Sequence, residues 1–299
     1  MNTIDAFTHD VYLQLEYLAK FVSQKSKPGK NVIFCGSGDS LCAGLLAEAF
    51  SDYSVRACDP LELAQNKILA RASRAYFVSI SGSTISNIRA AKLAKYSVAI
   101  TRNPTSKLGK TRDEVIPLNY EDSNVLTAGS IGFLASALTC ISLVHGFKIK
   151  NAKKIFTLAK NTAKKISLKN QTYILGNQHT YPVAMYASAK LGEILGMDSH
   201  YERIEQFSHM GLFTAKSGDT IIILEPKNAH NSQLVTNLKN LGLSVYNPSI
   251  ISKNKIDQVL FYIFVSQFVA LNMARKKRIK QCYFISHQNM RAASSDMIY

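Results

Sequence analysis

The sequence lacks the signatures that most readily assign a nucleotide, metal or hydrolytic site. It has five cysteines, at positions 35, 42, 58, 140 and 282, an odd number with no Cys-x-x-Cys among them. That usage excludes a disulfide or zinc framework and predicts a reducing, cytoplasmic compartment. The seven histidines show no metal-ligand spacing, since His200 and His209 stand nine apart with no evident third ligand. No metal and no cofactor is expected. Gly36-Ser-Gly38 falls short of a dinucleotide fingerprint because Leu41 stands where the third glycine belongs. There is no Walker A loop and no G-x-S-x-G elbow. No uninterrupted apolar run reaches the roughly 18 residues of a membrane span, since Val125 to Val144 and Val259 to Met273 are broken by polar residues. The N-terminus carries Asp5, Asp10 and Glu16 without a basic region, unlike a signal peptide.

Acidic residues are also scarce. Lysine and arginine total 36 against 20 aspartate and glutamate, a formal net charge of +16. Such an excess raises the question of nucleic acid. The densest basic runs, Lys148 to Lys154 and Lys276 to Lys280, have no interleaved aromatics, however, and resemble solvated helix faces. An enzyme for an anionic substrate explains the sign equally well, so neither a nucleic-acid nor a membrane partner is expected. A length of 299 residues with 46% hydrophobic content fits two globular domains or one large one.

Read in order, the chain alternates strand and helix. An amphipathic helix within Met1–Lys27 ends at Pro28-Gly29. Strands are expected at Asn31 to Phe34, Val55 to Cys58, Tyr76 to Val78, Ser97 to Ile100 and Glu114 to Leu118. Helices are expected at Leu41 to Phe50, Pro60 to Leu69, Ile85 to Lys95 and Val125 to His145, and Phe147 to Lys169 reads as a basic helical connection. The pattern then restarts, with strands at Thr172, Thr220 and Leu243 and helices at Pro182 to Leu195, Asn231 to Leu241 and Ile256 to Lys276. Gly36 pairs with Gly176, and the Tyr76 strand with the Thr220 strand. The expected architecture is therefore α/β, two parallel-sheet units related by internal duplication. The expected division is an N-terminal helix (1–29), a first domain (30–148), a connection (149–170), a second domain (171–276) and a tail (277–299).

The stretch Tyr76 to Thr84 is the most informative. An apolar strand runs into Ser79, Ser81, Ser83 and Thr84 around Gly82, and a helix follows. Such a turn aims hydroxyls and backbone N–H groups at one point near the positive end of a helix dipole, while Gly82 admits close backbone approach. One hydroxyl would suffice to cap the helix, and four in six residues exceed that need. This turn is expected to grip a phosphate. The second half has Glu225-Pro-Lys-Asn-Ala-His230 at the same place, which is unsuited to that task.

In the second half, Lys190 and Glu193 share a helix face at i,i+3 spacing. The polar segment Met197 to His209 follows. A carboxylate near a lysine and a histidine can move protons. By composition alone, a surface helix with one ion pair and a polar loop fits slightly better.

Taken together, these residues resemble a known family. Ser79-Ile-Ser-Gly-Ser-Thr84 is similar to the phosphate loop of sugar isomerase (SIS) domains, and Cys35-Gly-Ser-Gly-Asp-Ser40 to the turn after their first strand. Leu175 to Ala184, Ala189 to Ile194 and Glu205 to His209 resemble the isomerase part of glucosamine-6-phosphate synthase. The resemblance implies two flavodoxin-like, doubly wound SIS units. It implies that Ser37, Ser79, Ser81, Gly82, Ser83 and Thr84 surround a sugar phosphate. Glu193 would shuttle a proton between C1 and C2 of an open-chain sugar, with Lys190 beside it. His209 would open the ring, donated across a homodimer with a shared active site. The tail Asn289 to Tyr299 departs from the family in lacking a lysine, and no N-terminal cysteine follows Met1. The implied activity is aldose–ketose isomerisation of a hexose or hexosamine 6-phosphate. The alternatives are deamination of glucosamine 6-phosphate, or a non-catalytic phosphosugar-binding regulator. No DNA-binding helix-turn-helix precedes the first strand, which favours the enzyme.

Overall fold

The computed structural model describes residues 1–24 and 29–298. The chain forms two compact units. One comprises Lys20–Asp122, Gly129–Lys148 and His287–Tyr299, and the other Met1–Ala19, Ser123–Ala128 and Ile149–Ser286. Helix α1 (Thr3–Lys20) buries Ile4, Phe7, Val11 and Leu18 along one stripe, as its periodicity predicts. It ends at Lys20, and the stop assigned to Pro28 lies outside the described residues.

The first unit is built on β1 (Val32–Cys35), α2 (Asp39–Phe50), β2 (Arg56–Cys58), α3 (Pro60–Gln65), α4 (Lys67–Ala72), β3 (Arg74–Val78), α5 (Ile85–Ala91), β4 (Tyr96–Thr101), β5 (Glu114–Pro117) and α6 (Ile131–Ser142). Its five strands are parallel, in the order β2-β1-β3-β4-β5. This is the flavodoxin-like order, with connections running in opposite directions from β1 and β3. Residues of β1 and most of β3 and β4 are buried, as expected for strands covered on both faces. Ile33, Phe77, Ala90, Ala99 and Leu108 form one core cluster of this unit.

The second unit follows with α7 (Ala152–Ala163), β6 (Thr172–Gly176), α8 (Tyr181–Leu195), β7 (Ser199–Arg203), α9 (Ile204–His209), β8 (Thr220–Ile223), α10 (Ala229–Asn240), β9 (Ser244–Tyr246) and α11 (Lys255–Lys276). Its parallel strands run β7-β6-β8-β9, the same order with no fifth strand among the described residues. Helix α11 is long and apolar enough to cross a membrane by length and composition, but 89% of its most apolar window is buried. It is the central helix of this unit, packed on α7 and α8. Helices α1 and α7 both belong here rather than standing apart. Short α12 (Tyr283–Ser286) and exposed α13 (Gln288–Ile298) occupy the tail, where no helix was expected.

Three other expectations change. The Pro60 to Leu69 helix breaks in two because the Asn66 side chain accepts from Leu69 N and starts a new helix. The helix expected from Val125 begins only at Ile131. The Asp10 carboxylate binds the Ser123 backbone N–H at 2.6 Å, and the Thr127 hydroxyl donates to Thr3 O at 2.8 Å, holding this segment in a non-helical course. The polar segment Met197 to His209 is not a loop but an edge strand followed by a one-and-a-half-turn helix. Its strand is half exposed, as an edge strand must be, so it carries no apolar alternation to betray it.

Inside the second unit, one buried polar relay ties three helices together. Gln14 Nε2 donates to Gln267 Oε1 at 3.1 Å, and Gln267 Nε2 donates to Tyr186 Oη at 3.0 Å. All three side chains are fully buried. Gln267→Ala removes the acceptor of the buried Gln14 amide and the donor to the Tyr186 hydroxyl, and is expected to destabilise by about 1–3 kcal/mol. Urea denaturation checks this, and an unchanged midpoint would remove the relay from the account of how α1 is held.

Candidate functional site

In an open parallel sheet, ligands bind beyond the carboxyl ends of the strands where the connections diverge. In the first unit this point lies between the turns after β1 and β3. The β3 turn is folded by its own hydroxyls. Ser79 is buried, and its Oγ accepts from Gly82 N at 3.1 Å and sits 3.5 Å from Thr84 Oγ1. Ser81 Oγ accepts from Ser83 N at 3.3 Å. Gly82 has φ +63°, and a Cβ there would stand 2.0 Å from Ser106 Oγ, so the position requires glycine on two counts. Thr84 precedes α5 but makes no side-chain cap bond. The turn's hydroxyls are therefore not consumed in capping that helix. Asn87, buried on α5, donates to Val78 O at 3.2 Å and so pins the helix to the end of β3. Ser37 is exposed in the turn after β1, where Gly36 packs against Ser40 and Gly38 has φ +55°.

In the second unit, Pro182 stands in the first turn of α8 and Gly196, at φ +63°, ends it. The Tyr283 ring lies against Gly196, where a Cβ would approach within 2.4 Å. Lys190 is fully buried, its Nζ lying 2.5 Å from Glu193 Oε2 and 5.0 Å from the Tyr186 ring centroid. The Glu193 side chain is 37% exposed. The structure thus brings Lys190 and Glu193 together. His209, an exposed side chain at the end of α9, has its Nε2 3.1 Å from Glu205 Oε1. Met210 and Phe213 beside it are exposed apolar side chains. Among the described residues no cluster of three or more His, Cys, Asp or Glu is placed to hold a metal.

Two carboxylates were not singled out for chemistry by sequence reasoning. Glu202, on β7, is pushed above the ordinary carboxylate range by burial, and its Oε1 would meet a Cβ at Gly211 within 2.3 Å. Glu225, in the turn after β8, accepts from Asn177 N at 2.8 Å and from the Thr180 hydroxyl at 2.5 Å through one oxygen. Burial pushes it above the ordinary range more than these two bonds pull it down. The signal for Glu225 lay in the repeat. Cys35 pairs with Phe77 in one sheet and Leu175 with Ile223 in the other, so Glu225 takes the position of Ser79.

No family model matches the sequence, and no curated protein sequence matches it. Solved structures do. A glucosamine-6-phosphate deaminase from Thermotoga maritima superposes with a TM-score of 0.77 at 17% identity, over 93% of this chain and 95% of that one. A tagatose-6-phosphate ketose/aldose isomerase from Escherichia coli gives 0.67 at 15% identity, over 92% and 90%. The C-terminal domain of a glucosamine-fructose-6-phosphate aminotransferase from Francisella tularensis gives 0.62 at 14% identity, over 93% and 95%. The resemblance to sugar isomerase (SIS) proteins read from the serine turn therefore holds at the level of the fold, across nearly the whole chain.

The raised Glu225 carboxyl gives a pH prediction. A group whose folded pKa exceeds its unfolded value, about 4.3 for glutamate, stabilises most below that value. The contribution is lost as pH rises through the folded value. Wild type is therefore expected to gain stability relative to Glu225→Gln as pH falls from neutrality towards 4. Denaturant titrations at a series of pH values check this, and a pH-independent difference would contradict it.

Proposed function

We propose that this chain is a phosphosugar aldose–ketose isomerase, moving a proton between C1 and C2 of an open-chain hexose or hexosamine 6-phosphate. The observation that carries the reading is the buried Lys190 ammonium set against the half-exposed Glu193 carboxylate. A surface ion pair would leave its lysine in solvent, and burying an ammonium costs several kcal/mol unless a partner is held close. The arrangement favours a functional pair over a solvated helix face. The serine turn, with hydroxyls not used to cap α5, supports a phosphate grip by Ser79, Ser81, Gly82, Ser83 and Thr84, joined by Ser37. The fold, shared with solved phosphosugar enzymes, supports the substrate class.

In this reading the phosphate anchors one end of the sugar. His209 transfers the proton that opens the ring. Glu193 takes the proton alpha to the carbonyl, leaving an enediolate, and returns it to the neighbouring carbon as the hydroxyl proton passes from one sugar oxygen to the other and the carbonyl moves over. Lys190 balances the carboxylate's charge and supplies a fixed positive field as negative charge develops on the sugar oxygens. No cofactor is needed, because the proton removed is the proton restored. We place His209 in a site shared across a homodimer. The exposed apolar side chains of Met210 and Phe213 beside it support a subunit contact there. The five free thiols, all buried, support a reducing, cytoplasmic setting.

A second reading is favoured by the Thermotoga structure, described as a glucosamine-6-phosphate deaminase. The same proton transfer precedes loss of ammonia from an amino sugar, so ammonia release from glucosamine 6-phosphate separates the two.

Turnover of fructose, glucose, mannose and glucosamine 6-phosphates is the direct test. Glu193→Gln is expected to lower kcat about 10²–10⁴-fold while leaving phosphosugar binding nearly unchanged; retained turnover removes Glu193 from its role. Ser81→Ala with Thr84→Ala is expected to raise KM for phosphorylated sugars about tenfold or more, since each hydrogen bond to a charged group contributes about 1.5–3 kcal/mol. Wild-type KM in the double variant would refute the phosphate assignment. Tight phosphosugar binding with no turnover of any of the four sugars would indicate a regulator instead.

A further inference from the structure

The serine turn is held from outside by the strand beside it. β3 and β4 pair as far as Val78 and Ile100, and the ladder runs on into the turn. Ser79 N donates to Ile100 O at 3.0 Å, and Arg102 N to Ile80 O at 3.2 Å. The Thr101 hydroxyl also donates to Ile80 O, at 3.1 Å, and Leu108 N donates to Gly82 O at 3.0 Å. The carbonyls of Ile80 and Gly82 are thus taken by the chain after β4, while the amides of Ser81 and Thr84 make no hydrogen bond among the described residues. Arg102 gives more than its amide. Its guanidinium lies over the Tyr120 ring, 4.8 Å from the centroid, and is paired with Asp122, whose side chain is only 17% exposed. Tyr120 in turn reaches the first turn of α6. A Cβ on Gly132 would stand 2.8 Å from Tyr120 Oη and 3.5 Å from Ile80 Cδ1. The contacts close a ring, from the serine turn to Arg102, Tyr120 and Gly132 and back to the turn through the Ile80 side chain. Every member lies in the five-stranded unit. An ion pair in solvent contributes little, but an arginine stacked on an aromatic ring and fixed by a carboxylate holds one orientation.

We infer that Arg102 is a positioning residue for phosphate binding at the serine turn. Its backbone amide fixes the Ile80 carbonyl. Its side chain, through Tyr120, fixes the surface on which the Ile80 side chain rests, and Asp122 keeps the guanidinium over the ring. The turn is held on both sides before an anion arrives, so binding does not have to order it. The inference rests on the reading of Ser79 to Thr84 as a phosphate grip, and adds to it the residues that keep the grip in shape.

The test uses inorganic phosphate, so it does not depend on which sugar is turned over. An apparent Kd is read from the saturable rise of Tm with phosphate concentration. Arg102→Ala keeps the backbone amide and is expected to weaken phosphate about three- to tenfold, the cost of ordering one or two loop side chains on binding. Arg102→Lys keeps a cation over Tyr120 and is expected to recover most of that loss. Gly132→Ala presses on Tyr120 and Ile80 from the far side of the ring and changes no charge. It is expected to weaken phosphate by a similar factor, and the double variant by less than the product of the two single effects. If Arg102→Ala lowers Tm in the absence of phosphate but leaves the Kd unchanged, the ring is merely structural and the inference is overturned. An effect confined to Arg102→Ala, with Gly132→Ala at the wild-type Kd, also overturns it, because Arg102 then acts by charge alone. The reading beneath is tested separately by Ser81→Ala with Thr84→Ala, which is expected to abolish the saturable response. If the response survives those changes, or wild type shows none, the phosphate assignment falls and this inference with it. If they abolish it while Arg102→Ala leaves it intact, only the inference falls.

Discussion

The carboxyl ends of parallel strands present backbone donors that need acceptors, and both units are organised around meeting that need. Where connections diverge, no neighbouring strand continues the ladder, and the turns must supply their own partners. The five-stranded unit answers with hydroxyls. Ser79 Oγ takes the Gly82 amide, Ser81 Oγ takes the Ser83 amide, and Asn87 closes the end of β3. The four-stranded unit answers with a carboxylate, Glu225, at the position of Ser79. Hydroxyls can donate as well as accept, so a turn lined with them remains able to receive an anion. A carboxylate at the same point only accepts, and repels one. A single change of residue type thus sets apart two turns at the same register position.

Much of this was legible in the sequence because it rests on local pattern. The buried strands β1, β3, β4, β6 and β8 are short apolar runs bounded by glycine, serine or proline, and their helices carry clear stripes. The serine turn announced itself by an excess of hydroxyls over what a helix cap uses. The pairing of Lys190 with Glu193 followed from i,i+3 spacing alone. Its burial did not, since nothing in Ala189 to Ile194 says which face of α8 meets α11. β7 escaped notice because an edge strand needs only half its residues covered, and His200, Tyr201 and Arg203 stay exposed. Residues before Ile131 read as helix because Val125, Leu126 and Ala128 are good partners for one. Tertiary hydrogen bonds from Asp10 and to Thr3 override that propensity. The partnership of Glu225 with Asn177 and Thr180 spans more than forty residues and appears only when strand register is known.

The polar groups of the second unit's interior show the same economy. Lys190, Gln14, Gln267 and Tyr186 are all fully buried, and each meets a named partner: Glu193 for the lysine, and one another for the rest. Buried polar groups of this kind fix helix positions more sharply than apolar contact alone, because a slip of one residue would leave donors unpaired. These bonds fix α8, which carries Lys190 and Glu193, against α1 and α11.

The course of the backbone carries a consequence for how this molecule came to be and how it can be divided. The helix at the front of the chain is stitched to Ser123 and Thr127, a segment between β5 and α6 in the first half of the repeat, yet both belong with the four-stranded unit. A gene fragment cut at the seam of the duplication would strand these threads in the wrong piece. The ancestral doubling has thus been sewn over, and neither copy is any longer a portable module that recombination could lift out intact.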